Sequence, residues 1–308
     1  MAIGMDNVIM LLACLAVGMA LRWGHRVPDN AHTSINTFII YVSLPALTLL
    51  QIHSVVVDRA LLYAALMPWL LFAASAVLFW VVGNLLRLPR TTTGALAVVS
   101  GLGNTSFIGL PMIEAFYGPG GLPTGIVVDQ LGTYLVLSTV GIMLICFYSE
   151  GAITGREVVR RIVTFPPLIA LAVAILLMPV SYPGWAVSVL ARLGGTLAPL
   201  ALVSVGLQLK LSALPGNRGP LAMGLGYKLV LGPLLMIVLY AGVLGLRGPI
   251  TQITLFEAAM APQIGASIVA IQYGLNASLI SLMVGIGTVL SFVTLPLWWN
   301  LFQFVGLE

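Results

Sequence analysis

Charge is what this chain most lacks. Of its 308 residues only 7% are Asp, Glu, Lys or Arg, and 60% are apolar, whereas ordinary soluble domains carry about 25% charged residues. With a mean hydropathy of +1.09, that scarcity excludes a soluble domain and requires an integral membrane protein. Cysteine is nearly absent too. Cys14 and Cys146 both fall inside apolar runs, so no disulfide framework or metal spacing can be built from them, and they read as small buried apolar residues. His25, His32 and His53 sit at run ends or in loops without ligand spacing, as solvated histidines do. Phosphate-binding glycine loops, HExxH, GxSxG and paired-Cys patterns are all missing, which excludes ATP hydrolysis and the common hydrolytic sites. The chain is read as no enzyme. Any energy must come from a gradient. The net charge of +4 lies in short loops, where it orients spans and does not bind nucleic acid.

What is present is a series of apolar runs of about 20 residues, the length that crosses a hydrocarbon core of about 30 Å as helix; alternating segments of about ten residues, the mark of a barrel, are absent. The expected fold is an all-α integral membrane protein with ten spans, near 7–22, 33–50, 60–86, 93–117, 124–148, 162–179, 186–209, 220–245, 250–273 and 277–303. Connections are short, the most polar being 149–161, so no soluble domain is expected. The first run lacks a basic flank and a small-residue cleavage site and reads as a retained span. The loops after spans 1, 3, 5 and 7 hold nine basic residues (Arg22, Arg26, Arg87, Arg90, Arg156, Arg160, Arg161, Lys210 and Arg218), against three, Arg59, Arg192 and Arg247, on the other side. Basic loops stay inside. Both termini are therefore expected outside the cytoplasm, with the protein in the cell (inner) membrane.

The two halves resemble each other. Pro45 in VSLPALTLLQIH matches Pro199 in TLAPLALVSVGLQLKL, 154 residues apart, and Gly132–Thr133 matches Gly287–Thr288, 155 apart. Each half has an odd number of spans, five, so residues 155–308 repeat 1–154 with inverted topology.

The stretch GLGNTSFIGLPMIEAFYG, 101–118, is apolar enough for a bilayer but cannot run through as one regular helix. Gly101, Gly103, Gly109 and Pro111 weaken it, and Asn104, Thr105 and Ser106 place three polar side chains in a row. The repeat predicts a counterpart, and FEAAMAPQIGASIVAIQYG, 256–274, supplies one with Pro262 and Gly265. Irregular backbone at membrane depth survives only when buried or lining a cavity, and paired interrupted spans point to a transporter's site. Each break frees N–H groups on one side and carbonyls on the other. An anion can sit on the former, a cation on the latter. Asn104, Thr105, Ser106 and Pro111 are thus candidate substrate contacts on one half, and Met260, Pro262, Gln263 and Ser267 on the other. The plainer reading is two kinks that pack tightly, which explains the glycines but not the polar triplet.

Ionisable groups inside spans are costly, so each is a functional candidate. Glu257, one turn before the second break, is expected to hold a coupling cation, H+ or Na+. Asp129, with Gln130 and Thr133, either joins it or forms water-exposed structural hydrogen bonds. Glu114, near a span end, reads as a solvated cap. Lys228 either snorkels to the cytoplasmic surface or pairs with a core carboxylate.

NTSFIGLP, PLALVSVGLQL, EAAMAPQ and TVLSFVTLPLW together resemble the bacterial branch of the auxin efflux carrier family, related to the plant PIN-FORMED exporters, along essentially the whole chain. More distantly, Glu257 with Met260 is similar to the Glu-x-x-Met of sodium–bile acid symporters, whose Glu helps bind sodium. The resemblance implies a scaffold of spans 1, 2, 6 and 7, often dimerising, and a moving core of spans 3–5 and 8–10 with crossed broken helices. It maps substrate contacts onto Asn104, Pro262 and their neighbours. Plant exporters carry Asn-Pro at both crossings, whereas here Asn104 precedes Thr105 and Ala261 precedes Pro262. The long cytoplasmic loop of many plant members is missing. Residues and resemblance together point to a secondary active carrier of a small organic anion, a carboxylate, working by elevator-type alternating access as a homodimer in the bilayer. A passive anion channel and a membrane-embedded ligand sensor are the alternatives.

Overall fold

The computed structural model describes residues 5–28, 30–52, 59–149, 156, 159–160, 163–164, 166–208, 216–304 and 306. His53, Arg161, Lys210 and most of the polar 149–161 connection lie outside them. Among the described residues the chain is helical and has no strand; one isolated antiparallel bridge joins Gly103 to Pro262. The helical stretches are α1 (Met5–Trp23), α2 (Ala31–Ile52), α3 (Arg59–Leu85), α4 (Arg90–Gly101), α5 (Leu110–Tyr117), α6 (Pro119–Tyr148), α7 (Pro166–Leu176), α8 (Gly184–Leu207), α9 (Arg218–Val243), α10 (Pro249–Ala258), α11 (Ile264–Gln272) and α12 (Ala277–Phe304). Six of them, α2, α3, α6, α8, α9 and α12, are each long and apolar enough to cross a membrane. Their outward faces carry large apolar side chains such as Leu62, Trp80, Phe147 and Val293, an arrangement suited to lipid.

By its contacts the chain divides into two compact units, the first from 1–58, 106–126 and 161–209, the second from 59–105, 127–160 and 210–308. In the first, α1 lies against α8 where Gly18 faces Gly206: a Cβ on Gly206 would sit 2.4 Å from the Leu15 carbonyl oxygen and 2.9 Å from the Gly18 Cα. Only paired small residues let two backbones approach so closely. Gly194 meets Leu47 of α2 in the same way, and the Ser43 and Thr196 hydroxyls hydrogen-bond at 2.7 Å.

In the second unit α3 is the central strut. Ser75 Oγ donates to the Ala97 carbonyl of α4 at 2.9 Å, Tyr227 Oη of α9 donates to the Leu71 carbonyl at 2.7 Å, and Tyr240 Oη donates to the Tyr63 carbonyl at 2.7 Å. Pro68 interrupts the ladder of α3, and Gly132 packs on its ring, where a Cβ would lie 2.5 Å from Cγ. Gly287, its partner in the sequence repeat, likewise abuts a proline, with a virtual Cβ 2.7 Å from Pro262 Cδ. Buried polarity concentrates here. Among the described residues the three buried charged side chains, Asp129, Lys228 and Glu257, all belong to this unit.

Candidate functional site

The site is built from two interruptions in the second unit. Gly101 and Gly103 end α4, and helical winding resumes at Thr105 as a π-helical turn, 105–109, that leads into α5. Pro262 cannot continue α10, which stops at Ala258, and α11 begins at Ile264. Between them the two chain segments pair: the Asn104 N–H donates to the Ala261 carbonyl at 2.7 Å, and the Gln263 N–H donates to the Leu102 carbonyl at 3.0 Å. Gly103 and Pro262 therefore face each other as the non-hydrogen-bonded pair of an antiparallel ladder. In that position neither residue's own N–H is needed, which admits proline, and the backbones come within about 4.5 Å, which favours glycine. A Cβ on Gly103 would lie 3.3 Å from the Glu257 carbonyl oxygen and 3.6 Å from Met260 Cβ. Tyr117–Gly118 and Tyr273–Gly274 close α5 and α11 alike, with φ of 76° and 80° at the glycines.

Around this pairing the second unit gathers most of the candidate residues. Asn104, Thr105, Met260, Pro262, Gln263 and Ser267 are buried. Thr105 Oγ1 donates to Asp129 Oδ1 at 2.6 Å, and Gln130 Nε2 donates to Asp129 Oδ2 at 2.6 Å. Asp129, Gln130 and Thr133 all lie on a π-helical turn, Val128–Tyr134, a widening of the helix frequent at functional sites. Thr105 thus spends its hydroxyl on Asp129. The water-exposed alternative for Asp129 is replaced by a buried, bonded carboxyl, because the 105 and 128–134 segments pack directly. Ser267 Oγ donates back to the Gln263 carbonyl at 2.7 Å, bracing the first turn of α11. No side chain caps that helix, so the N–H groups of its first turn are open to an acceptor such as an anion.

Glu257, in the last turn of α10, is fully buried, and neither carboxyl oxygen finds a hydrogen-bond partner among the described residues. It lies within electrostatic reach of Asp129 and Lys228. Lys228 does not snorkel. It is wholly buried on a π-helical turn of α9, Tyr227–Leu231, and its Nζ donates to the Ala258 carbonyl at 3.0 Å. The end of α10 gives the ammonium a carbonyl partner inside the protein, at a helix C-terminus where positive charge is favoured. The signal was visible as the one basic residue inside an apolar run. Thr288, in the sequence a repeat match to Thr133, has like it a hydroxyl that is buried without a partner among the described residues.

The other two candidates, Ser106 and Pro111, belong to the first unit. Pro111 is buried and borders a cavity of about 120 Å³ with Gln51, Leu110, Glu114, Leu122 and Gly194. Glu114, read from the sequence as a solvated cap, is half-buried and lines that cavity. No group of three or more His, Cys, Asp or Glu side chains among the described residues is placed to hold a metal ion.

The sequence matches the membrane transport protein family over residues 3–299. The chain belongs to that family. It is the auxin efflux carrier, PIN-like, family whose motifs the sequence carries, so this is a multi-pass membrane transporter and not an enzyme. Relatives of the same family include an uncharacterised transporter of Methanothermobacter thermautotrophicus, 28% identical over 95% of this chain and 96% of its own. Another is an uncharacterised transporter of Methanocaldococcus jannaschii, 25% identical over 96% of this chain and 98% of its own.

Proposed function

We propose that this member of the family is a secondary active carrier, efflux carrier-like, of a small organic anion, a carboxylate, and that it works by elevator-type alternating access. The observation that carries the reading is the pairing of Gly103 with Pro262. Two interrupted helices meet there, leaving the uncapped N-terminus of α11 for an anion and the carbonyl end of α10 for a cation within the second unit. Asn104 and the first turn of α11 are the anion-binding groups in this reading, with Thr105, Met260, Pro262, Gln263 and Ser267 of the same unit around them. Glu257 and Asp129, supported by Gln130 and Thr133, hold the coupling cation, H+ or Na+. The ten spans form an inverted five-plus-five repeat, in support of which both repeat-related glycines, Gly132 and Gly287, abut a proline. Spans 3–5 and 8–10 move against a scaffold of spans 1, 2, 6 and 7 that dimerises, in the inner membrane, with both termini extracytoplasmic.

Flux in sealed vesicles tests the reading. Purified protein is reconstituted and presented with a panel of labelled small carboxylates. A carrier saturates and shows counterflow when unlabelled carboxylate is trapped inside. Unsaturating flux without counterflow identifies a channel, and binding without flux identifies a sensor; either result overturns the proposal.

A further inference from the structure

Asp129, Lys228 and Glu257 are 2%, 0% and 1% exposed, and they are the buried acidic and basic side chains among the described residues. The buried tyrosines of α9, Tyr227 and Tyr240, already donate to backbone carbonyls. The coupling role proposed above uses the two carboxylates and leaves the lysine unexplained. Yet Lys228 occupies the ground on which a coupling cation would otherwise be held. Its ammonium takes the Ala258 carbonyl at 3.0 Å, an orphan acceptor of the α10 end where positive charge is favoured. Gly103 makes the room: a Cβ there would stand 3.2 Å from Nζ. Glu257, whose two oxygens lack hydrogen-bond partners among the described residues, lies within electrostatic reach of Lys228 on one side and Asp129 on the other. Asp129 is held by Thr105 and Gln130, at 2.6 Å each.

We infer that Lys228 is a resident counter-cation of the crossing, holding the carbonyl end of α10 and balancing one of the two carboxylates, so that the site accepts a single monovalent cation and not two. The inference rests on the coupling role given to Glu257 and Asp129. Charge left unbalanced in a buried, membrane-embedded core is costly. Two carboxylates and one ammonium sum to one negative charge, which one proton or one sodium ion cancels. A second cation would leave the core positive, so the lysine sets the count.

The test needs no substrate. The full chain is purified in detergent, and its melting temperature is followed in two arms: sodium chloride exchanged for choline chloride at fixed pH and ionic strength, and pH lowered in choline chloride. A ligand that binds only the folded state raises stability in proportion to the number bound and the logarithm of its activity. Wild type should rise with the slope of one cation in one arm, which names the ion. Subtracting the slope of Glu257→Gln, whose remaining carboxylate is matched by the lysine, removes the response of surface carboxylates. Lys228→Met should double the slope and melt lower, and Lys228→Met with Glu257→Gln should return the slope to one and recover most of the lost melting temperature. Should Lys228→Met fail to fold, folding of the double variant shows the same compensation. Equal slopes in wild type and Lys228→Met, a zero slope in both arms, additive losses in the double variant, or failure of both variants to fold each overturn the inference. Vesicle flux is not part of this test, so either proposal can fail while the other stands.

Discussion

Gly103 and Pro262, 159 positions apart in the chain, lie opposite each other as a backbone pair, flanked by the Asn104–Ala261 and Gln263–Leu102 hydrogen bonds. Each interruption thus satisfies part of the backbone that the other leaves open. Exposed peptide groups at membrane depth cost several kcal/mol each, so neither break is stable alone, and the pair behaves as one structural unit.

Substitution of Gly103 should therefore act on the whole crossing. A Cβ there meets Lys228 Nζ at 3.2 Å and the Glu257 carbonyl oxygen at 3.3 Å. Gly103→Ala should cost about 1 kcal/mol and Gly103→Val about 1–3 kcal/mol, as overpacking does, read as a graded fall in melting temperature in detergent. An unchanged midpoint for Gly103→Val would mean that the crossing gives way without strain.

Thr105→Val keeps shape and removes the hydroxyl that donates to Asp129 Oδ1 at 2.6 Å. Leaving a buried carboxyl oxygen short of a donor costs about 1–3 kcal/mol. The expected result is a lower melting temperature together with weakened cation-driven uptake. Thr105→Ser, which retains the donor, should recover both, and failure of that recovery would assign the effect to packing of the methyl group.

Glu257→Gln should abolish gradient-driven accumulation while leaving substrate binding largely intact, because the amide preserves volume at a fully buried position but carries no charge for a coupling cation. Accumulation in vesicles under an imposed proton or sodium gradient is the measurement. Undiminished accumulation removes Glu257 from the mechanism.

Asn104→Ala should weaken binding of an anionic substrate roughly ten- to a hundredfold, since a hydrogen bond to a charged group contributes about 1.5–3 kcal/mol and each factor of ten corresponds to about 1.4 kcal/mol. Uncharged analogues should lose much less. Equal losses for both in equilibrium binding would show that Asn104 shapes the break and does not read the anion.

From the distribution of basic residues, both termini are expected outside the cytoplasm. C-terminal fusions to alkaline phosphatase and to green fluorescent protein check it: an active phosphatase and a dark fluorescent protein are expected, and the reverse pattern rules the topology out.

The membrane class and the positions of both interruptions are legible along the chain. Those are local matters: an apolar run must be helical in lipid, and Gly101 and Gly103 clustered beside a polar triplet, or Pro262 beside Gly265 and Gln263, weaken a helix where Pro68 alone, inside α3, does not end one. The π-helical turn, 105–109, begins within the polar triplet that marked the first break, and the repeat match between Gly132 and Gly287 recurs as two close contacts on proline rings. Where the polar groups find partners depends instead on how the helices pack. Lys228 carries the same side chain whether it reaches for the bilayer surface or for a carbonyl; its burial depends on the end of α10 at Ala258, 30 residues further along the chain. Asp129 became a bonded interior group through Thr105, 24 residues earlier, and Glu114 lines a cavity with residues of α2 and α8, distant from it in the chain. Such pairings depend on register between helices distant in sequence, and side-chain periodicity does not encode that register when nearly every position is apolar.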